Sequence, residues 1–513
     1  VTVVLPLLVA CGGGRPEVLD GPRLSTPADV PLTRLLTVET DVPTRLSAHL
    51  EGPGVDVRVT WPGLATEHAV PVLGAKPDRE HTLTLTLSAP GLADAEVEAS
   101  FRTDPLPEDF PELDVLALDP DRVEPGYVLL PLEAEGIGYW LAAVDAWDGE
   151  VAWLYTGPEN FGDVRRTPDG TFLGLGQGAI ELDALGTLLH RWDDTGDPAD
   201  PTWIPFPPRG LHHEVGLAGD DALVVLAHRT VSEPAYPVTY VDPSLRRPAQ
   251  LQDTGVITFG RDGAVRAAWW YADVLDPQRI GFDSLNRFGS MRDWVHGNAV
   301  VPAPGGGWLA SSRHQDALFS VGYDGALRWI LASPAGWRAD WRPYLLTVEP
   351  PGSWTYHQHG PSFDAEGRLV VFDNHNEGHN PYEPPPEGPV ESRVVAFGID
   401  EAAHTATMAW EWRHPEGLFS GALGNATALP GGSVVACYGF LDAEGAGDNV
   451  ARGLGQKVAR IVELRPGEEE PVSDLRFWYP RDRAREGVKS YRAVPTPRLY
   501  PDDVRVERQR TDD

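Results

Sequence analysis

Apolar and polar positions alternate with a period of two in short stretches along almost the whole chain, and no long helical period stands out. Between residues 25 and 104 these stretches include Thr44–Leu50, Val55–Trp61 and His81–Leu87. Strict alternation puts one face of a strand in a core and the other in water, so this region is expected to form a small Ig-like β-sandwich. Residues 105–126, which open on Pro105-Leu106-Pro107, read as a linker.

From residue 127 the pattern repeats. One kind of segment is a hairpin, seen from Val164, from His213, from Asp293 through Pro304-Gly305 to His314, from His357, and from Asn425. The other is a pair of apolar strands whose second member ends in tryptophan, at Trp153, Trp192, Trp270, Trp329, Trp412 and Trp478. A hairpin plus such a pair is a four-stranded blade. Six closing tryptophans therefore predict an all-β chain with a six-bladed β-propeller over 127–513, the first hairpin, near Tyr127, being degenerate. A solenoid fits less well, because the repeat length is uneven.

The first strand of a propeller blade lines the central channel. His213, His296, His359 and Asn425 open such strands and are expected to converge on the axis. A turn centred on Pro304-Gly305 brings Arg313 opposite His296. His212 and Asn298 lie beside these positions. His228, His314, His357 and His375 read as solvated or capping side chains, and His379 as a loop residue.

Composition narrows the partners. The formal charge is −34 with three lysines, Lys76, Lys457 and Lys489, a balance that repels nucleic acid and anionic membranes. An anionic substrate would need a local basic pocket, which the His/Arg group could supply. The two cysteines, Cys11 and Cys437, suggest neither a zinc site nor a disulfide framework. Leu8-Val9-Ala10-Cys11 resembles the lipobox of bacterial lipoproteins, so residues 1–24 are expected to be a signal and tether with Cys11 lipidated. The protein is then periplasmic or on the cell surface, anchored to the outer membrane by that lipid.

Several histidines with an arginine admit two chemistries. A metal could be held, for instance by His357 and His359 on one strand face. Alternatively an anionic group is transferred, with a neutral imidazole as nucleophile and cationic donors neutralising charge on the transferred oxygens.

The motifs Asp293-Trp294-Val295-His296-Gly297-Asn298, Ser311-Ser312-Arg313-His314, Gln358-His359, Phe372-Asp373-Asn374 and Ser490-Tyr491-Arg492-Ala493 resemble those of the bacterial PAPS-independent arylsulfate sulfotransferases. The resemblance implies a six-bladed propeller behind a small sandwich, no cofactor or metal, and transfer of a sulfuryl group from a phenolic sulfate to an acceptor phenol. It implies that His359 carries the group as a sulfohistidine in a ping-pong cycle, that His296 and Arg313 bind the sulfate oxygens, and that His213 moves the phenol proton. Asn298, His212 and Asn425 would help bind substrate. Two departures stand: Cys437 has no partner for the disulfide found near the site in the family, and Gly360-Pro361 follows the key histidine. Other classes open to the chain are a non-catalytic surface propeller that binds a carbohydrate or a protein, and a metal-dependent hydrolase or lyase. The small domain is open to two roles, homodimer formation and placement of the propeller above a membrane.

Overall fold

The computed structural model of the chain describes residues 14–219, 221–288, 290–387, 390–442, 456–480, 483 and 487–511. Cys11 and its lipobox lie outside the described residues. Within them the fold is all-β: helix is confined to the single turns Tyr271–Val274 and Arg342–Tyr344.

Six sheets, each with four antiparallel main strands, succeed one another as the blades of a propeller. Their inner strands are Asp163–Arg166 in blade two, His212–Leu217 in blade three, Gly297–Pro302 in blade four, His359–Phe363 in blade five and Asn425–Ala428 in blade six. Each touches the next around the axis. The degenerate first hairpin has a structural reason: the inner strand of blade one comes from the far end of the chain. Lys489–Ser490 and Val494–Thr496 pair with Tyr127–Ala134. Blade six gains an outer strand, Glu112–Leu118, from the stretch read as a linker. The ring is thus sewn shut by both flanks of its sequence.

The closing tryptophans lie in the fourth strand of each blade, and four of them reach the neighbouring blade. The indole N–H of Trp153 donates to the Ala184 carbonyl, that of Trp192 to Arg261, that of Trp329 to the Glu401 carboxylate and that of Trp412 to the Glu469 carbonyl. In every case the acceptor is on the turn between strands three and four of the next blade. A buried indole with its N–H satisfied both fills the gap between blades and fixes their spacing, and truncation of one to alanine costs about 3–5 kcal/mol.

Ahead of the propeller, two sheets share the long strand Arg34–Gly52. Its first half pairs with Val18–Ser25 and Ala65–Val72, its second half with Val55–Thr60 and Glu80–Ser88. Alternate residues, among them Leu36, Val38, Leu83, Leu85 and Leu87, are buried in one cluster that continues into Leu129, Leu141 and Trp153 of the propeller. Two polar ties cross the same boundary. Lys76 Nζ, fully buried, lies 3.1 Å from Asp145 and 2.7 Å from Asp148, and the last strand, Arg505–Arg508, leaves the propeller to pair with Val55–Thr60.

Candidate active site

Three of the inner strands share an irregularity at the same place. Register shifts fall between His212 and Val215, between Gly297 and Ala299, and between His359 and Ser362, whereas the Asn425 strand pairs regularly. A bulge re-aims side chains at the end of a strand. The histidines at the mouth follow this local strain: His213, His296 and His357 have φ of 59°, 41° and 55°, in the left-handed region that β-carbon-bearing residues enter at a cost of about 1 kcal/mol or more.

His359 is buried at the head of blade five. Its Nδ1 lies 2.6 Å from Asn374 Oδ1 and 3.0 Å from the His357 carbonyl. Two oxygen acceptors there require a proton on Nδ1, so the lone pair is on Nε2, where no hydrogen bond is made among the described residues. The Asn374 amide is itself oriented, donating through Nδ2 to the carbonyls of Ser420 and Leu423 at 2.7 and 2.9 Å. Burial, reinforced by the charge of Arg313, holds His359 well below the usual imidazole range in spite of Asn374. It is a neutral imidazole with a defined tautomer and a bare nitrogen. After it Gly360 has φ +42°, and a Cβ there would lie 2.2 Å from the Cβ of Asn425, so this departure from the family pattern is a packing requirement of blade six.

Blade four supplies Arg313 and His296. The Arg313 backbone N–H donates to the His296 carbonyl at 3.1 Å, as the hairpin reading anticipated. The Arg313 guanidinium sits 3.0 Å from Asp283 and donates to the Gly421 carbonyl at 3.3 Å. His296 Nδ1 is 2.6 Å from Asp293 Oδ2, and its ring stacks on His314 with centroids 4.6 Å apart. Burial pushes the Asp293 carboxyl up, but the hydrogen bond and charge of His296, with His314, hold it well below the carboxylate range. Burial likewise raises Asp283, and the bond from His357 with the charge of Arg313 more than reverses it.

Blade three contributes His213, whose ring centroid is 4.8 Å from that of His296 and 5.5 Å from that of Tyr491. Burial first, then the neighbouring His296 and His212, keep His213 well below its ordinary range. Under the site runs a network of buried charge. Arg492 lies 2.7 Å from Glu214 and donates to the Asn298 carbonyl at 2.9 Å, Tyr491 Oη donates to the same carbonyl at 2.9 Å, and Arg165 bridges Asp163 and Glu214.

Several expectations need correction. Asn425 faces no ligand space: its amide is taken by both backbone groups of Ala493 at 2.8 Å and by Thr427, so it clamps the closing strand. Asn298 donates to the Gln358 carbonyl at 2.8 Å, an orienting contact between blades. His212 is turned from the mouth towards His213 and His228. His357 and His359 do not share a strand face, because His357 precedes the strand in a left-handed conformation and turns to Asp283 and Asp316. His314 and His357 are buried parts of the site rather than solvated residues, and His228, half-buried, backs His212. Sequence reasoning missed Asp283, Asp293, Asn374, Glu214, Tyr491 and Arg492 as parts of the site, although Asp293, Asn374 and Tyr491-Arg492 lay inside motifs it had singled out.

Asp293, His296 and His314 each bring one potential metal-ligand atom within 4.8 Å of the others. As they stand, His296 Nδ1 is engaged with the Asp293 carboxylate, His314 Nδ1 lies 2.6 Å from the Asp293 carbonyl, and the two rings stack with planes inclined by 29°. The geometry is that of a carboxylate–imidazole pair.

Known proteins resemble the chain. It is 28% identical over 291 residues to the arylsulfate sulfotransferase AssT of Escherichia coli O6:H1, covering 50% of this chain and 47% of that one. It is 29% identical over 161 residues to the arylsulfate sulfotransferase AssT of Lelliottia amnigena, covering 28% and 26%. The chain thus spans at most about half the length of these curated relatives. Among solved structures, a Bacteroides caccae protein of unknown function aligns with a TM-score of 0.39 and 12% identity over 73% of this chain and 100% of that one. The family model Arylsulfotransferase (ASST) matches residues 139–486, which hold the four main strands of blades two to six and all of the mouth histidines, and the chain belongs to the arylsulfotransferase family.

Proposed function

We propose that the protein transfers a sulfuryl group from an aryl sulfate to an acceptor phenol through a covalent intermediate on His359. The supporting observation is the 2.6 Å contact of Asn374 Oδ1 with His359 Nδ1, which leaves Nε2 of a neutral imidazole free to attack. Nε2 bonds to sulfur as the S–O(aryl) bond breaks, and the aryl oxygen leaves with the electron pair. The ring then carries the sulfo group on Nε2 and keeps its proton on Nδ1. In the second half-reaction His213 takes the proton of the acceptor hydroxyl through Nε2. The phenolate attacks sulfur, the N–S pair returns to His359, and His213 gives its proton to solvent or to the next leaving phenolate. Arg313 and His296, the latter held by Asp293 at its Nδ1, face the sulfuryl oxygens where charge builds. Pre-alignment by the rigid blades supplies much of the remaining rate.

The test is phenolate release from a chromogenic aryl sulfate, with and without acceptor phenol, by chelator-treated wild type and His359→Ala. The expected result is acceptor-dependent release that survives chelation and vanishes in the variant, with a sulfohistidine at 359 trapped by mass spectrometry in the absence of acceptor. Activity retained by His359→Ala would remove the nucleophile from this scheme. Loss on chelation would favour a second reading, metal-assisted hydrolysis at Asp293, His296 and His314, which the clustering of their ligand atoms supports. On the same reading the enzyme acts outside the cytoplasm, tethered by a lipid on Cys11. The support for this is Leu8-Val9-Ala10-Cys11 itself, and the mass of the mature N-terminal peptide tests it.

A further inference from the structure

His212 has no place in the chemistry above, yet its surroundings are specific. Its Nδ1 lies 2.6 Å from Nδ1 of His213. Its ring lies flat on that of His228, with centroids 3.6 Å apart and planes inclined by 10°, and the Gln252 side-chain amide meets Nε2 of His228 at 2.6 Å. His212 is thus gripped on its face by blade three and aimed edge-on at the rear nitrogen of His213. In front, His213 faces His296 and Tyr491.

A contact between two Nδ1 atoms needs one proton and one lone pair. If His212 held the proton, a neutral His213 would carry its own on Nε2 and could take nothing from an acceptor hydroxyl. If His213 holds it, Nε2 is bare. The imidazolium formed when the phenol proton arrives then has an acceptor waiting behind it. Burial and the charges of His228 and His296 disfavour a proton excess on His212, against which Asp293 and the Ala227 carbonyl pull more weakly. His212 therefore enters the pair as a neutral ring.

We propose that His212 is a positioning residue: by accepting the Nδ1–H of His213 it fixes the tautomer in which His213 presents Nε2 as base, and it stabilises the imidazolium that follows. The role is that of the carboxylate behind the histidine in a hydrolytic triad, filled here by an uncharged group. A neutral orienter adds no negative charge beside a pocket that must hold an anionic ester.

This inference rests on the sulfuryl-transfer reading, and the tests separate the two. Long-range imidazole 15N–1H correlations of the wild type locate the protons without any turnover. A proton on His213 Nδ1 is expected, and one on His213 Nε2 would overturn the proposal whether or not the enzyme is active. Kinetics give the second arm, with His212→Phe keeping the ring stack on His228 and His212→Asn placing an amide oxygen near the lost Nδ1. With phenols that are un-ionised at the assay pH, His212→Phe is expected to slow transfer roughly tenfold or more, while acceptors already present as phenolates are transferred at the wild-type rate. His212→Asn recovers most of the loss. Equal slowing of every acceptor, or a full rate in His212→Phe, would reduce His212 to packing. A wild type that transfers to no acceptor would instead sink the reading on which the kinetic arm depends.

Discussion

Asn374 Oδ1 lies 2.6 Å from His359 Nδ1, and because the amide N–H groups already point at the Ser420 and Leu423 carbonyls, the hydrogen bond runs one way, from ring to oxygen. The amide sets the tautomer without adding charge. Exchanging it for a carboxylate should keep the tautomer and raise the proton affinity of the ring. In Asn374→Asp the acid limb of the kcat/KM profile is expected to move up by about one pH unit or more, measured between pH 5 and 8. An unmoved limb would mean that another group carries the sulfuryl transfer.

Arg313 holds its guanidinium between Asp283 and the Gly421 carbonyl, close to His359. Removal of a pre-positioned donor to developing charge costs about 3 kcal/mol, or roughly 10²-fold to 10³-fold in rate. Arg313→Ala should show that loss in kcat/KM for aryl sulfates. Arg313→Lys should recover part of it, since a point charge cannot span the same fork of partners. Steady-state kinetics with one donor and one acceptor decide the matter.

Glu214 is buried between Arg165 and Arg492 and also takes the Val300 N–H at 3.3 Å. Glu214→Gln leaves two guanidinium groups to Asp163 alone. Breaking a buried pair in this way costs about 3–5 kcal/mol, so urea denaturation should show a loss of that order together with weakened activity, because Arg492 also anchors the Asn298 carbonyl.

His81 links stability to pH in the N-terminal domain. It is buried against Phe101, takes the Lys76 N–H on Nε2, and is held by burial at about 4. The unfolded chain binds its proton near pH 6.5, so between 6.5 and 4 the unfolded state holds more protons and stability falls as pH falls. The effect is on the order of 3 kcal/mol across that window. His81→Gln cannot titrate, and the gap in stability between wild type and variant should narrow steadily from pH 6.5 to 4. A constant gap would contradict the assignment.

Much of the ring was legible because its determinants are local: period-two alternation, Asp-Gly turns and the tryptophans that end each blade. The facing of His296 and Arg313 was also correct, but through two compensating features. The hairpin pairs Pro302 with Trp308 and Ala299 with Ser311, a register that carried on unbroken would set His296 opposite His314. The irregularity at Asn298 shifts it back by one residue, and Arg313 takes the place. Bulges leave no period in a sequence, which is also why Asn425, on a regular strand, was wrongly grouped with the histidines on bulged ones. Asp283, Asn374 and Arg492 were out of reach for another reason. Asp283 and Arg492 are joined to the mouth by contacts that span blades, Asn374 reaches His359 from the neighbouring strand of the same blade, and their character as orienting groups comes from partners such as the Ser420 carbonyl, which carries no side-chain signature at all.

The inner strand of blade one brings a last consequence. Tyr491 and Arg492 enter the site on the segment that pairs with Tyr127–Ala134, so the floor of the mouth is the final piece of the ring to be synthesised. A chain still emerging from the ribosome, or one clipped ahead of residue 489, holds the histidines but not the ground they stand on. Whatever chemistry the mouth performs is thereby tied to the arrival of residues 489–496, the last strand segments to join the ring.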